Sequence, residues 1–217
     1  MRTDLLLAIL TGFLLSFAYP PYNLGLLAYW ALIPLFYLLE EKRMAPAFRW
    51  GYLTGFFVIV GGVNVLVLSD ILSLTLAIFI HPFYFALYSV LHVLLREKIG
   101  QRYLIAIPFL WVALEFVKGL NHFGFSSLNL GYTHPQYVLL LGDAASVAPY
   151  LLSFWICCLN VLIYAMLQNL QNRRKVAYLL LTAIVLLVIP LSCGYRTLEI
   201  PDVFDQVVTF CRKLGAV

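Results

Sequence analysis

Long hydrophobic runs, separated by short polar stretches, dominate the chain from its first residues to about position 195. The runs lie at about residues 5–19, 24–39, 51–68, 71–95, 104–120, 147–170 and 176–195. A helix of about 20 apolar residues is long enough to cross the roughly 30 Å hydrocarbon core of a bilayer. The pattern predicts an all-α polytopic membrane protein with about seven transmembrane helices in a single bundle. Residues 196–217 are predicted to form a short tail on the outer side.

Composition supports this prediction. Of the 217 residues, 63% are hydrophobic and only 11% are charged. Soluble globular domains have roughly a quarter of their residues charged, so the chain is expected to lie among membrane phospholipids. The four cysteines, at positions 157, 158, 193 and 211, have no paired spacing. They therefore predict neither a zinc site nor a disulfide framework.

Basic residues fall mainly in the loops of one side of the predicted bundle. Ten of the 14 Lys and Arg residues lie there: Arg2, Lys42, Arg43, Arg49, Arg96, Lys98, Arg102, Arg173, Arg174 and Lys175. Short cytoplasmic loops of membrane proteins are enriched in Lys and Arg. The asymmetry predicts a cytoplasmic N-terminus, with the long connector after the fifth span and the C-terminus on the outer side.

The polar residues that attract attention lie at the end of the fifth span and in the connector. Glu115 and Lys118 are three residues apart, so they are neighbours on one helix surface. Ionisable groups within a span mark function by default. One interpretation is direct contact with a lipid or a partner domain. The other is anchoring at the interface, where Lys118 reaches the head groups and Glu115 caps a neighbouring loop.

The connector supplies further candidates for contact with substrate or partner. The full candidate set is Glu115, Lys118, His122, Ser126, Asn129, Tyr132 and His134. The histidine spacing matches no recognised ligand pattern, so we expect no metal. We also expect no cofactor and no nucleic-acid partner. Neither Ser126 nor Ser127 lies in a nucleophile elbow, and no catalytic residue is assigned.

Other residues within the spans have structural interpretations. Gly51 and Gly55 have the spacing that allows two helices to approach closely, and Asn160 is predicted to form an interhelical hydrogen bond. His81 precedes Pro82 and is predicted to satisfy a carbonyl that the proline frees. The Trp and Tyr residues near the span ends are predicted to form an aromatic belt rather than a binding site.

Several motifs resemble the membrane domain of apolipoprotein N-acyltransferases. Residues 15–25, followed by Ile33-Pro34-Leu35, are similar to the opening of that domain. Residues 51–57 resemble the Gly-aromatic-x-x-Gly start of its third span. Pro108, Trp111 and Glu115 form its Pro-x-x-Trp-x-x-x-Glu helix, which is the most specific match. Lys118 stands where the family usually has Arg, and residues 125–127 replace its Phe-Pro-Trp.

The resemblance implies a two-part enzyme of the bacterial inner membrane. A nitrilase-like domain with a Glu-Lys-Cys triad takes an acyl chain from phospholipid as a thioester and passes it to diacylated lipoproteins. No position of this sequence matches that triad. We therefore expect the membrane domain only, a truncated or split form that is inactive without a nitrilase-like domain in trans. The alternative is a non-catalytic lipid-binding or scaffolding membrane protein.

Overall fold

The computed structural model describes residues 2–61, 71–120, 128–135 and 147–194. In these ranges the backbone forms helices and turns and no strand. The prediction of an all-α fold is confirmed for this part of the chain. The predicted tail at 196–217 lies outside the described residues.

The described ranges contain a series of α-helices joined by turns and short 3₁₀ helices. The α-helices are α1 (Arg2–Ala18), α2 (Ile33–Leu39), α3 (Met44–Gly61), α4 (Ile71–Ile99), α5 (Tyr103–Gly119), α6 (Ala148–Gln168) and α7 (Arg173–Gly194). The 3₁₀ helices are Gly25–Tyr29, Gly100–Arg102 and Leu130–Thr133. Two described stretches, Ile78–Gly119 and Ala148–Gln168, are long and apolar enough to cross a membrane. The first of these contains most of α4 and all of α5.

The region expected to be one span at 24–39 is divided in the structure. The 3₁₀ helix Gly25–Tyr29 is followed by a turn and then by the seven residues of α2. Backbone groups at such a break need partners, and Asn160 of α6 supplies them. Its Nδ2 donates to the Ala28 carbonyl at 2.8 Å, and its Oδ1 accepts from Leu32 N–H at 2.9 Å. The predicted interhelical hydrogen bond of Asn160 is confirmed. It pairs with backbone groups at the break between the 3₁₀ helix and α2.

Helices α3 and α4 pack closely because two glycines of α3 face α4. A Cβ at Gly51 would lie 2.6 Å from the Phe85 carbonyl oxygen, and one at Gly55 would lie 2.7 Å from Pro82 Cα. Both distances are shorter than a Cβ tolerates, so only glycine permits this separation of the helices. The predicted small-residue contact is confirmed.

Helix α7 is joined to α6 by a hydrogen bond that compensates for a proline. In an α-helix the Leu186 carbonyl would accept from the N–H of residue 190, but this residue is Pro190 and has no N–H. The indole Nε1 of Trp155 in α6 donates to the Leu186 carbonyl at 2.8 Å instead. The proline therefore does not leave the Leu186 carbonyl oxygen unpaired between these two apolar helices.

Three sets of contacts gather polar loops at one end of the bundle, which we call the basic end. Asp4 forms an ion pair with Lys42 at 2.9 Å. The Arg96 guanidinium donates to the carbonyls of Leu39, Glu40 and Lys42. Gln168, at the end of α6, donates to Glu40 at 2.7 Å. The start of α1, the loop after α2, the end of α4 and the end of α6 therefore lie together.

Candidate functional site

The opposite end of the bundle is organised by the Glu115 carboxylate. Glu115 lies in the last two turns of α5, with only 5% of its surface exposed. Its Oε1 accepts from Trp111 Nε1, one turn earlier in α5, at 2.8 Å. The same oxygen accepts from the backbone N–H of Leu130 at 2.7 Å. The interpretation that Glu115 caps a neighbouring loop is therefore confirmed.

Lys118 holds the same loop through a different atom. Its ammonium group donates to the Leu128 carbonyl at 3.0 Å, and the Tyr19 hydroxyl donates to the same carbonyl at 2.9 Å. Lys118 has 4% of its surface exposed, so the expectation that it reaches the lipid head groups is wrong. The two charged side chains bind a carbonyl and an N–H two residues apart. We call residues 128–135 the docked segment.

The docked segment also rests on the start of α6. The Gly131 N–H donates to the Ser153 hydroxyl at 2.8 Å. A Cβ at Gly131 would lie 2.8 Å from Pro149 Cα and closer still to the Pro149 carbonyl oxygen. Glycine is required here because backbone meets backbone. This contact fixes the segment against α6 as Glu115 and Lys118 fix it against α5.

A chain of hydrogen bonds joins the end of the docked segment to Tyr29. Thr133 Oγ1 lies 2.8 Å from the Leu130 carbonyl and 2.9 Å from His134 Nδ1, and His134 Nε2 lies 2.9 Å from the Tyr29 hydroxyl. One assignment satisfies all three contacts. The Tyr29 hydroxyl donates to Nε2, Nδ1–H donates to Thr133, and Thr133 donates to Leu130. The His134 and Tyr29 rings also stack, with centroids 5.1 Å apart.

The neutral state of His134 predicts a pH dependence of stability. Burial disfavours the imidazolium and lowers the pKa of His134 from 6.5 to about 4. Between these values the unfolded chain binds a proton that the folded chain does not. As pH falls through this window, the free energy of unfolding is expected to decrease by up to about 1.4 kcal/mol per pH unit.

Thermal unfolding of the wild type and His134→Gln, followed from neutral pH to about pH 4, measures this contribution. Glutamine does not titrate, so the wild-type midpoint should fall more steeply and the two curves should converge. Carboxylates titrate in both proteins and cancel in the comparison. Parallel curves would contradict the assignment of the neutral imidazole.

Five of the candidate residues from the sequence meet at this site. Glu115, Lys118 and His134 bind or close the docked segment, whereas Asn129 is buried within it and Tyr132 packs half-buried against the start of α6. The two remaining candidates, His122 and Ser126, lie outside the described residues. The structure also brings in Trp111, Tyr19, Tyr29 and Ser153, which the candidate set did not include. Of these, only Trp111 had a signal, its spacing of four residues from Glu115.

The site has the chemistry of a structural clamp. Among the described residues, no group of three His, Cys, Asp or Glu side chains could hold a metal ion. Cys157 is buried in α6 and Cys158 is half-buried. Nothing in the described part of the chain places an exposed thiol beside a base.

Comparison with known proteins identifies the family. Residues 11–162 match the sequence model described as "Apolipoprotein N-acyltransferase N-terminal domain". A protein of Geobacter metallireducens named apolipoprotein N-acyltransferase is 31% identical over 220 residues, which cover 93% of this chain and 41% of that protein. The Haemophilus influenzae protein of the same name is 27% identical over 232 residues, covering 98% of this chain and 42% of the relative.

A further relative, apolipoprotein N-acyltransferase 1 of Treponema denticola, is 33% identical over 153 residues, covering 64% of this chain and 26% of the relative. The chain thus spans less than half of the length of these relatives. The matched residues contain the second half of α1, all of α2 to α5, the docked segment and most of α6. By this match, the chain belongs to the apolipoprotein N-acyltransferase family, through its N-terminal domain.

Proposed function

We propose that this chain is the membrane domain of an apolipoprotein N-acyltransferase-like system, which presents phospholipid acyl chains to a nitrilase-like domain during lipoprotein maturation. The observation that carries the proposal is the docked segment. Glu115, Lys118 and Gly131 hold its backbone against α5 and α6. A backbone fixed at one end of an apolar bundle provides a rigid platform for a domain outside the membrane.

Apolar side chains beside the docked segment supply a surface for acyl chains. Phe109 and Phe116 of α5 and Leu151 of α6 are each more than half exposed. The ring of Phe109 lies against Phe154, and that of Phe116 lies against Tyr150. These two ring pairs place exposed apolar side chains at two levels along α5 and α6. Phospholipid tails that pack on these side chains would have their ester groups close to the docked segment.

The proposed topology has about seven spans in the bacterial inner membrane, with the N-terminus in the cytoplasm and the C-terminus on the periplasmic side. One ion pair and two sets of hydrogen bonds, those of Asp4–Lys42, Arg96 and Gln168, hold several loops together at the basic end. Most of the basic residues lie in or near these loops. Loops enriched in Lys and Arg remain in the cytoplasm. The docked segment, at the other end of α5 and α6, would then face the periplasm.

Reporter fusions test the orientation. An alkaline phosphatase fused after Asn172 should be inactive, because this enzyme needs the oxidising periplasm. The same reporter inserted at His134, in the docked segment, should be active. The reverse pattern would contradict the proposed orientation and the role that follows from it.

The proposal assigns the acyl-transfer chemistry to the nitrilase-like domain. In the family that the chain resembles, a cysteine of that domain takes the acyl chain as a thioester and passes it to the amino group of a diacylated lipoprotein. A thiolate is a strong nucleophile and requires an activating base nearby. Among the described thiols, Cys157 is buried and Cys158 is half-buried, and neither forms a hydrogen bond with a base in the described part of the chain. Residues 1–217 alone are therefore expected to be inactive.

Reconstitution tests the division of labour. The chain is placed in phosphatidylethanolamine-containing vesicles with a diacylated lipoprotein peptide, with or without the part of the Geobacter metallireducens relative beyond the matched region. N-acylation should occur only when both parts are present. Acylation by residues 1–217 alone would refute the assignment. If both parts together gave no acylation while the chain still bound lipid, the result would support the non-catalytic lipid-binding alternative.

A further inference from the structure

A small cavity lies directly beneath the docked segment. Its volume is about 30 Å³, and it is lined by residues of α4 and α5, by the residue after α1 and by the first residue of the docked segment. Polar groups from several elements reach its wall, namely Tyr19, His81, Glu115 and Lys118. The remaining wall is mainly aromatic and includes Tyr88 and Trp111.

Two buried polar atoms at this cavity have no hydrogen-bond partner among the described residues. They are Nδ1 of His81, a residue with 2% of its surface exposed, and Oε2 of Glu115. The Ser153 hydroxyl lies near the Glu115 carboxylate but does not form a hydrogen bond with Oε2. Buried polar atoms in folded proteins are nearly always paired, because an unpaired atom costs free energy.

Lys118 provides donors to the same cavity. An ammonium group has three N–H bonds, and only the one to the Leu128 carbonyl is used among the described residues. Glu115 and Lys118 are not within 4 Å of each other as an ion pair, since the described part of the chain has only the Asp4–Lys42 bridge. The Glu115, Lys118 and His81 side chains therefore line one small cavity, and no hydrogen bond or ion pair joins them in the described part of the chain.

We propose that this cavity is a binding site for one or two water molecules, which join His81 to Glu115 and Lys118. A buried water needs a volume of at least about 10–15 Å³ and two to four polar partners. Water also fits either tautomer of His81, because it donates to a bare Nδ1 and accepts from a protonated one. It accepts from Lys118 and donates to Glu115 Oε2. A lipid tail is too large for this volume, and Lys118 disfavours a cation.

The water site makes His81 a positioning residue. His81 precedes Pro82 in α4, where the close packing against Gly55 of α3 fixes the backbone. Through the bound water, His81 would orient the Lys118 and Glu115 side chains, which hold Leu128 and Leu130. The water site is independent of the proposed function. Its failure and that of the proposed acyl presentation would be separate results.

Radiolytic footprinting of the purified chain in phospholipid nanodiscs tests the site. X-rays produce hydroxyl radicals from bound water, and these radicals label adjacent side chains even when the side chains are buried. Tyr19 and Tyr88, which line the cavity, should be labelled several-fold more than Phe36, which is equally buried but lies elsewhere in the core. Labelling of the two tyrosines at the level of Phe36 would overturn the proposal.

Substitution of His81 identifies the groups that bind the water. His81→Leu should lose most of the labelling at Tyr19, because the site loses a polar partner, whereas His81→Gln should retain it. Phe83→Leu, on the exposed face of the same helix, should label like the wild type. If His81→Leu does not fold, Lys118→Met removes a second water partner and should lower the labelling similarly. Wild-type labelling in either folded variant would exclude the assigned partner.

Discussion

Replacing Glu115 with alanine is expected to lower the free energy of unfolding by about 3–5 kcal/mol, the usual cost of removing one partner from a buried charged network. The substitution leaves the Leu130 N–H and the Trp111 indole N–H without their acceptor. It also leaves the buried Lys118 ammonium without a nearby carboxylate. Urea unfolding of the chain in micelles measures the loss.

Amide hydrogen exchange shows whether the loss is local to the docked segment. In Glu115→Ala, the Leu130 amide should exchange much faster than in the wild type, while Leu32, whose N–H is held by Asn160, should exchange as before. Exchange of Leu130 at the wild-type rate would mean that Glu115 does not hold the segment.

Glu115→Gln is the matched variant, because the amide retains an oxygen that accepts from Leu130 and Trp111 but removes the charge. Its effect on stability should be clearly smaller than that of alanine. Trp111→Phe removes only one of the two donors and keeps an aromatic ring in the core. A hydrogen bond to a charged group contributes about 1.5–3 kcal/mol, so this variant should lose less stability than Glu115→Ala. An equal loss in glutamine and alanine variants would assign the effect to charge rather than to the clamp.

The helical fold and the central role of Glu115 were predictable because both depend on local sequence. Apolar runs specify helices, and the spacing of Trp111, Glu115 and Lys118 along α5 places them on neighbouring turns. Close packing of α3 on α4 was equally visible, since Gly51 and Gly55 leave no side chain between the helices. The resemblance to the apolipoprotein N-acyltransferase family was drawn from local motifs as well, among them Pro108, Trp111 and Glu115.

The partners of these residues were not predictable, because they come from distant parts of the chain. The Tyr19 hydroxyl reaches a carbonyl 109 residues later, and Asn160 pairs with backbone groups more than 120 residues earlier. Hydropathy also treated residues 24–39 as one run, because apolar residues continue through the turn that divides it. No local signal distinguishes an intact apolar helix from a broken one whose polar groups are satisfied by another helix.

The interpretation that Lys118 reaches the head groups failed for a related reason. A lysine near the end of an apolar helix usually extends to the head groups, and nothing in α5 opposes that outcome. The carbonyl of Leu128, returned to the bundle by the connector, provides a closer partner. Burial of the charge is tolerated because Glu115 lies on the same helix face. The position of Lys118 thus depends on the docked segment, as the segment depends on Lys118.

Replacing Gly131 with alanine is expected to destabilise the protein by about 1–3 kcal/mol, the typical cost of overpacking, and valine should displace the docked segment altogether. A Cβ at this position meets the backbone of Pro149, which cannot rotate away. Movement of the segment would also break the bond from Gly131 N–H to Ser153. Urea unfolding, with exchange of the Leu130 and Gly131 amides, reports both effects.

Gly119→Ala is the control for Gly131→Ala, because among the described residues its added methyl group would approach only the end of the Tyr150 side chain, with the hydroxyl at 2.7 Å. A hydroxyl at the tip of a side chain moves at little cost, so this variant should retain nearly wild-type stability. Ser153→Ala separates the hydrogen bond from the close contact, since it removes the acceptor and leaves Gly131 unchanged. Its loss should be smaller than that of Gly131→Val. If Gly131→Val were as stable as Gly119→Ala, the segment would not rest on α6, and a rigid platform for a catalytic domain would have no structural basis.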